Sequence, residues 1–110
     1  GFFPDTISTD QYIKHVGVVP QHDLPRTMSK MIAAGLAHEA AFERVTSRPA
    51  EALRMGGEIG TLTVGASADL TVLRWNADIT TLADVNGNHR SGGYYEPIAT
   101  IRAGEIIASR

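Results

Sequence analysis

The sequence contains no cysteine, which excludes disulfide bonds and zinc sites built from thiolates. No apolar run approaches the roughly 20 residues that a membrane-spanning helix needs. The chain also has no large excess or cluster of charge of one sign. Its 10 basic and 12 acidic residues are scattered and give a formal net charge of −2. A nucleic-acid or anionic-membrane surface would need a basic patch. We therefore expect no nucleic-acid partner and no membrane partner. A cytoplasmic location is the default expectation.

Histidines are few and dispersed. Their spacing matches no familiar pair of metal ligands, and loop histidines are usually solvated. A ring near a helix N-terminus is disfavoured as a cation by the helix dipole, so we expect His38 to be neutral and to face solvent. The four histidines are His15, His22, His38 and His89.

The first half of the chain has helical periodicity. Asp23 is a good N-cap, Pro25 suits the first turn, and Gly35 can end this helix. A second helix is predicted from about His38, and Ser47 is expected to cap a third that ends at Gly56-Gly57. The apolar faces that we expect to be buried are formed by Leu24, Met28, Met31 and Ile32 in the first helix and by Ala41, Phe42 and Val45 in the second.

From Gly60 onward the period of the apolar residues changes from about 3.6 to 2, which favours strands. We predict strands over 61–64 and 70–76, a further one over 78–82, and a hairpin at Asn86-Gly87. The stretch 89–93 is polar, so we expect it to be irregular. A strand over 94–102 should be an edge strand or carry a bulge because of Pro97, and 105–108 should form a terminal hairpin arm.

Four stretches together resemble the end of a metal-dependent amidohydrolase, in the dihydroorotase-like and deacetylase branch. They read P-D-T-I-S-T-D (4–10), D-L-P-R-T-M-S-K (23–30), T-S-R-P-A-E-A-L (46–53) and G-T-L-T-V-G-A-S-A-D-L-T-V-L (60–73). The resemblance implies an α+β fold: residues 1–59 would be the last strand and helices of a (β/α)8 barrel, and residues 60–110 part of a small β-sandwich. Thr6, Ile7 and Thr9 favour that last strand.

The same resemblance places Asp10 at the catalytic edge of the barrel. There it would bind a divalent metal, zinc being the first candidate, and would take the proton of the attacking water. The alternative is a surface aspartate that closes a turn or caps a helix. Asp5 is the rival carboxylate, near the start of the strand. Tyr12 stands where the family pattern has a histidine, and this weakens inference about the substrate.

The family's His-x-His motif and its lysine and histidine ligands are missing from this sequence. A catalytic zinc site needs about three protein ligands. We therefore expect the parent protein to hydrolyse an amide, N-acyl or cyclic-amide C–N bond of a small molecule, and this chain alone to be inactive and to bind no metal. Unpartnered faces and edges would favour a homo-oligomer. The alternatives are a non-catalytic α+β module for oligomerisation or binding, and a pseudo-enzyme.

Overall fold

Three helices precede a three-stranded antiparallel sheet in the computed structural model, which describes residues 2–10, 23–84 and 86–109. The α+β prediction is therefore confirmed at this level. The elements are α1 (Leu24–Ala33), α2 (His38–Val45), α3 (Ser47–Ala52), β1 (Leu70–Ala83), β2 (His89–Arg102) and β3 (Glu105–Ser109). None of the helices in these ranges has the length and hydropathy that crossing a bilayer requires.

Helix α1 begins and ends where its capping residues predict. The Asp23 carboxylate accepts a hydrogen bond from the backbone N–H of Arg26 at 2.9 Å, and Pro25 lies in the first turn. Gly35 has a φ of 113°, a conformation that glycine adopts without steric cost, and it follows the C-cap Ala34. The predicted first helix is confirmed.

The boundaries predicted for α3 are wrong at both ends. Ser47 is the first helical residue of α3, and Thr46 is its N-cap. The Thr46 hydroxyl does not cap α3; it donates to Phe42 O in α2 at 2.6 Å. At the other end, Arg54 has a φ of 60° and adopts the left-handed conformation that was predicted for Gly56-Gly57. The N–H groups of Arg54 and Met55 bond to the carbonyls of the last turn at 2.9 and 2.8 Å, a Schellman-type ending that closes the helix early.

The hairpin predicted at Asn86-Gly87 is confirmed and joins β1 to β2, the central strand of the order β1-β2-β3. The irregular excursion predicted for 89–93 is wrong, because this stretch begins β2 and pairs with the end of β1. Backbone pairing needs no apolar side chains. A Cβ at Gly93 would lie 2.5 Å from Trp75 Cζ2, so the glycine allows close packing there.

Strand boundaries elsewhere also differ from the predictions. The segments 70–76 and 78–82 form the single strand β1, with an irregularity between Asn76 and Thr80. Pro97 lies in the central strand and not at an edge, but the register shifts beside it, so the predicted bulge is present. The predicted strand 61–64 does not form, and Leu62 and Val64 are exposed, because no described segment pairs with it.

The core joins the helices to the opening segment. The buried residues of this cluster are Ile7, Met28, Leu36 and Ala41. Residues 2–10 hold no strand, contrary to prediction, because no strand in the described ranges lies beside them to form a ladder. The division at residue 59 stays a prediction.

Ser29 links α1 to the sheet. Its side chain is fully buried, donates to Pro25 O at 2.7 Å and accepts from the Tyr95 N–H at 2.9 Å. The hydroxyl thereby accepts a hydrogen bond from a backbone N–H of the central strand and donates one to a backbone carbonyl of α1. This buried bridge fixes the sheet against α1.

Candidate functional site

The segment that carries Asp10 is attached to the core by its apolar side chains. Ile7 is only 8% exposed and packs in the cluster with Met28, Leu36 and Ala41. Phe3 packs against the same cluster from the start of the segment. These contacts place the chain just before Asp10 on the surface formed by α1 and α2.

Arg44, in the last turn of α2, also holds this segment. Its carbonyl accepts the Ile7 N–H at 3.0 Å, and its Nε donates to Pro4 O at 2.7 Å. Its Nη1 donates to Ala40 O at 3.0 Å, one turn back in the helix. Arg44 therefore contacts the segment at two points while its guanidinium is itself anchored.

Asp10 is exposed and has a φ of 52°. Aspartate tolerates the left-handed region better than most residues, since its short polar side chain can bond locally. The rival Asp5 is 98% exposed and faces Arg48 at 3.4 Å in a surface ion pair. Within 2–10, 23–84 and 86–109 no three His, Cys, Asp or Glu side chains form a metal-binding group. Whether Asp10 is catalytic or a ligand stays a prediction.

Of the remaining residues singled out from the sequence, the structure describes His38 and His89. Tyr12, His15 and His22 lie outside the described residues. His89 is exposed and pairs with Ala83 at the base of the hairpin. No hydrogen bond or ring contact observed in the described ranges links His38 or His89 to Asp10.

His38 was expected to face solvent, and this is only partly right. The residue is exposed, but its Nδ1 lies 2.7 Å from the Tyr95 hydroxyl and its ring packs edge-on against Trp75 at 4.6 Å. This aromatic cluster was not predicted from the sequence, although Trp75 and Tyr95 are aromatic residues that pair across the two strands. Burial raises the pKa of Tyr95, so its hydroxyl stays protonated near neutral pH, and the His38 tautomer sets which of the two atoms donates.

A second polar cluster lies across β1 and β2 and is centred on Glu96. Its carboxylate accepts from Asn76 Nδ2 at 3.0 Å and from Arg74 Nη2 at 3.2 Å. The hydrogen bond from Asn76, then those from Tyr94 and Arg74, hold the pKa of Glu96 below its usual value. The hydrogen bond to Glu96 raises the pKa of Tyr94. Glu96 is therefore a fixed negative charge in the sheet.

The lowered pKa of Glu96 predicts a stability loss in acid. The stabilisation is present above the ordinary glutamate pKa and is lost as pH falls from there through the lower folded-state value. We expect Glu96→Gln to reduce the fall in unfolding free energy between neutral pH and about pH 3. The measurement is urea unfolding at fixed protein concentration, followed by the fluorescence of Trp75, the one tryptophan in the sequence.

Asp84 provides the comparison for this experiment. Hydrogen bonds from Asn88, first from its side chain and then from its backbone, lower the pKa of Asp84 within the hairpin. Asp84→Asn should therefore also reduce the fall in unfolding free energy in acid. Its effect and that of Glu96→Gln should add in the double variant. An unchanged slope in Glu96→Gln would show that the cluster does not stabilise the folded state.

Comparison with known proteins identifies the family. A family model described as "Amidohydrolase family" matches residues 8–108. The chain belongs to the amidohydrolase family. It is 39% identical over 102 residues, 92% of the chain, to a deacetylase of Enterococcus faecalis, and 37% identical over its full length to a deacetylase of Brucella anthropi. It spans 27% of the length of each of these two amidohydrolase relatives.

Solved amidohydrolase structures share the fold of the chain. The crystal structure of an adenine deaminase superposes with a TM-score of 0.86 at 37% identity, covering 96% of this chain and 28% of the deaminase. A dihydroorotase superposes with a TM-score of 0.81 at 33% identity, covering 99% of this chain and 29% of that one. The resemblance to the deacetylase and dihydroorotase branch is confirmed.

Proposed function

We propose that this chain is the C-terminal segment of a metal-dependent hydrolase that cleaves an amide, N-acyl or cyclic-amide C–N bond with water. The observation that carries the proposal is the similarity to deacetylases along nearly the whole chain. The similar proteins have different activities in their names, so we propose the type of bond and no particular substrate.

Within that protein, residues 1–59 would complete a (β/α)8 barrel and residues 60–110 would form part of a β-sandwich. Exposed apolar side chains support this arrangement: Leu62 is 81% exposed, Val64 is fully exposed and Ile79 is 79% exposed. Leu62 also lines an apolar groove of about 480 Å³, together with Met28, Phe42 and other residues of α1, α2 and β1. Apolar surface of this kind is usually covered by further chain or by another subunit.

The described residues do not form a metal site by themselves. Asp10 offers one carboxylate, whereas a catalytic zinc needs about three protein ligands, and the described ranges contain no such group. We assign Asp10 as one ligand of a site whose other ligands would come from the upstream barrel strands that the resemblance implies. A divalent metal in that site would lower the pKa of water and polarise the substrate carbonyl.

Asp10 has a chemical role of its own in this proposal. An exposed carboxylate at the end of a segment that is hydrogen-bonded to α2 can accept a proton from the attacking water and later donate it to the leaving nitrogen. The family match begins at residue 8 and includes Asp10. The segment before Asp10 would hold the carboxylate at the reacting atoms.

Removal of metal from the full-length protein tests the proposed activity. We expect a panel of N-acetylated amino acids and cyclic amides to include a hydrolysed substrate, and chelation to abolish its turnover. Added Zn²⁺ should restore it, since the water needs the metal to be acidic near neutral pH. The isolated chain, under the same conditions, should be inactive. Turnover that persists without metal would contradict the proposal, and no turnover with metal bound would favour the non-catalytic module.

A further inference from the structure

We infer that Arg44 is a positioning residue for Asp10, an inference that rests on the proposed function. Arg44 holds the opening segment twice, through its backbone carbonyl on the Ile7 N–H at 3.0 Å and through its Nε on Pro4 O at 2.7 Å. These two hydrogen bonds, three residues apart, restrain the direction of the segment in addition to the packing of Phe3 and Ile7 on the core.

The guanidinium is itself held in place. Its Nη1 donates to Ala40 O at 3.0 Å, and the residue is half-buried in the last turn of α2. A cation in the last turn of a helix is favoured by the helix dipole. Arg44 therefore transmits the orientation of α2 to the segment 2–10.

The direction of the segment 2–10 affects the position of Asp10 because Asp10 lies beyond the residues that Arg44 holds. Asp10 lies three residues beyond Ile7, about 10 Å along an extended chain. A rotation of about 10° at Ile7 would move the carboxylate by roughly 2 Å, and a misplacement of about 1 Å can cost on the order of 100-fold in rate. The bond to Pro4 O adds a directional restraint against this rotation to the packing of Phe3 and Ile7 on the core.

The neighbouring Arg48 shows what a less constrained arginine looks like. It meets Asp5 at 3.4 Å, and the Asp5 side chain is 98% exposed. Exposed ion pairs of this type contribute little, since they are hydrated and screened. Arg48 is therefore the matched control for Arg44, close in sequence and in contact with the same segment.

The test uses Arg44→Ala, Arg44→Lys and Arg48→Ala in the full-length protein with a substrate from the panel above. We expect Arg44→Ala to lower kcat by about 10- to 100-fold with KM within about twofold. Arg44→Lys, which can still donate to Pro4 O, should recover part of the loss. Arg48→Ala should change kcat by less than about twofold. Amide hydrogen exchange in residues 2–10 should be faster in Arg44→Ala than in Arg48→Ala.

Three outcomes would overturn the inference: an Arg44→Ala enzyme with unchanged kcat, equal losses in Arg44→Ala and Arg48→Ala, or no recovery in a folded Arg44→Lys enzyme. The first of these, together with a large loss in Asp10→Asn, would reject positioning by Arg44 and leave the role of Asp10 intact. Unchanged activity in Asp10→Asn would reject the proposed role of Asp10 instead.

Discussion

Replacement of Asp10 by asparagine in the full-length protein is expected to lower kcat/KM by roughly 10²–10⁴-fold, the range that a general base contributes. Asparagine has nearly the same shape and, like aspartate, tolerates the φ of 52° observed at this position. Its amide cannot take a proton from water and is a weaker metal ligand. The substitution therefore changes the chemistry and leaves the backbone in place.

Asp5→Asn is the control for this substitution. Asp5 is the other carboxylate of the same segment, and its surface pair with Arg48 is expected to contribute little. We expect Asp5→Asn to retain kcat/KM within about twofold. Steady-state kinetics and metal content of both variants provide the measurement. Comparable activity in the two variants would remove Asp10 from the mechanism, whereas comparable losses would point to general damage to the segment.

The features predicted correctly from sequence depend on a few adjacent residues. Asp23, Pro25 and Gly35 define α1 because capping and the left-handed ending are local. The Asn86-Gly87 turn is equally local, and Gly87 has the positive φ, 83°, that such hairpin turns require. For these elements, tertiary structure reinforced a preference already present in the chain.

The wrong predictions concern elements whose partners decide the outcome. The segment 61–64 has strand-like alternation but no described partner, whereas 89–93 lacks alternation and is a strand because β1 lies beside it. Gly92 and Gly93 provide the space for this pairing against Ala33 and Trp75. Polarity alone could not indicate that close packing.

The candidate site was only partly predictable for a similar reason. Asp10 is proposed through resemblance alone, because a lone aspartate has no distinguishing pattern of its own. Arg44 was missed because its side-chain partner, Pro4 O, is 40 residues away, and a carbonyl has no sequence signal. The contact becomes visible only when α2 lies beside the opening segment.

A further large effect is expected at Gly60, where the chain passes the junction of α2 and α3. Its φ is +70°, and an added Cβ would lie 2.5 Å from Thr46 O and 3.2 Å from Ala50 Cβ. That carbonyl accepts the Ala50 N–H and so opens the first turn of α3. A methyl group at Gly60 would both strain the backbone and push on the start of the helix.

Gly65→Ala separates these two effects. Gly65 also has a positive φ, +95°, but nothing lies within 4 Å of its added Cβ. Backbone strain alone should destabilise Gly65→Ala by about 1–2 kcal/mol. Gly60→Ala adds the steric conflict, typically 1–3 kcal/mol, for a total of about 2–5 kcal/mol. Urea unfolding of both variants followed by Trp75 fluorescence measures the difference, and equal losses would mean that Gly60 does not pack closely against Thr46.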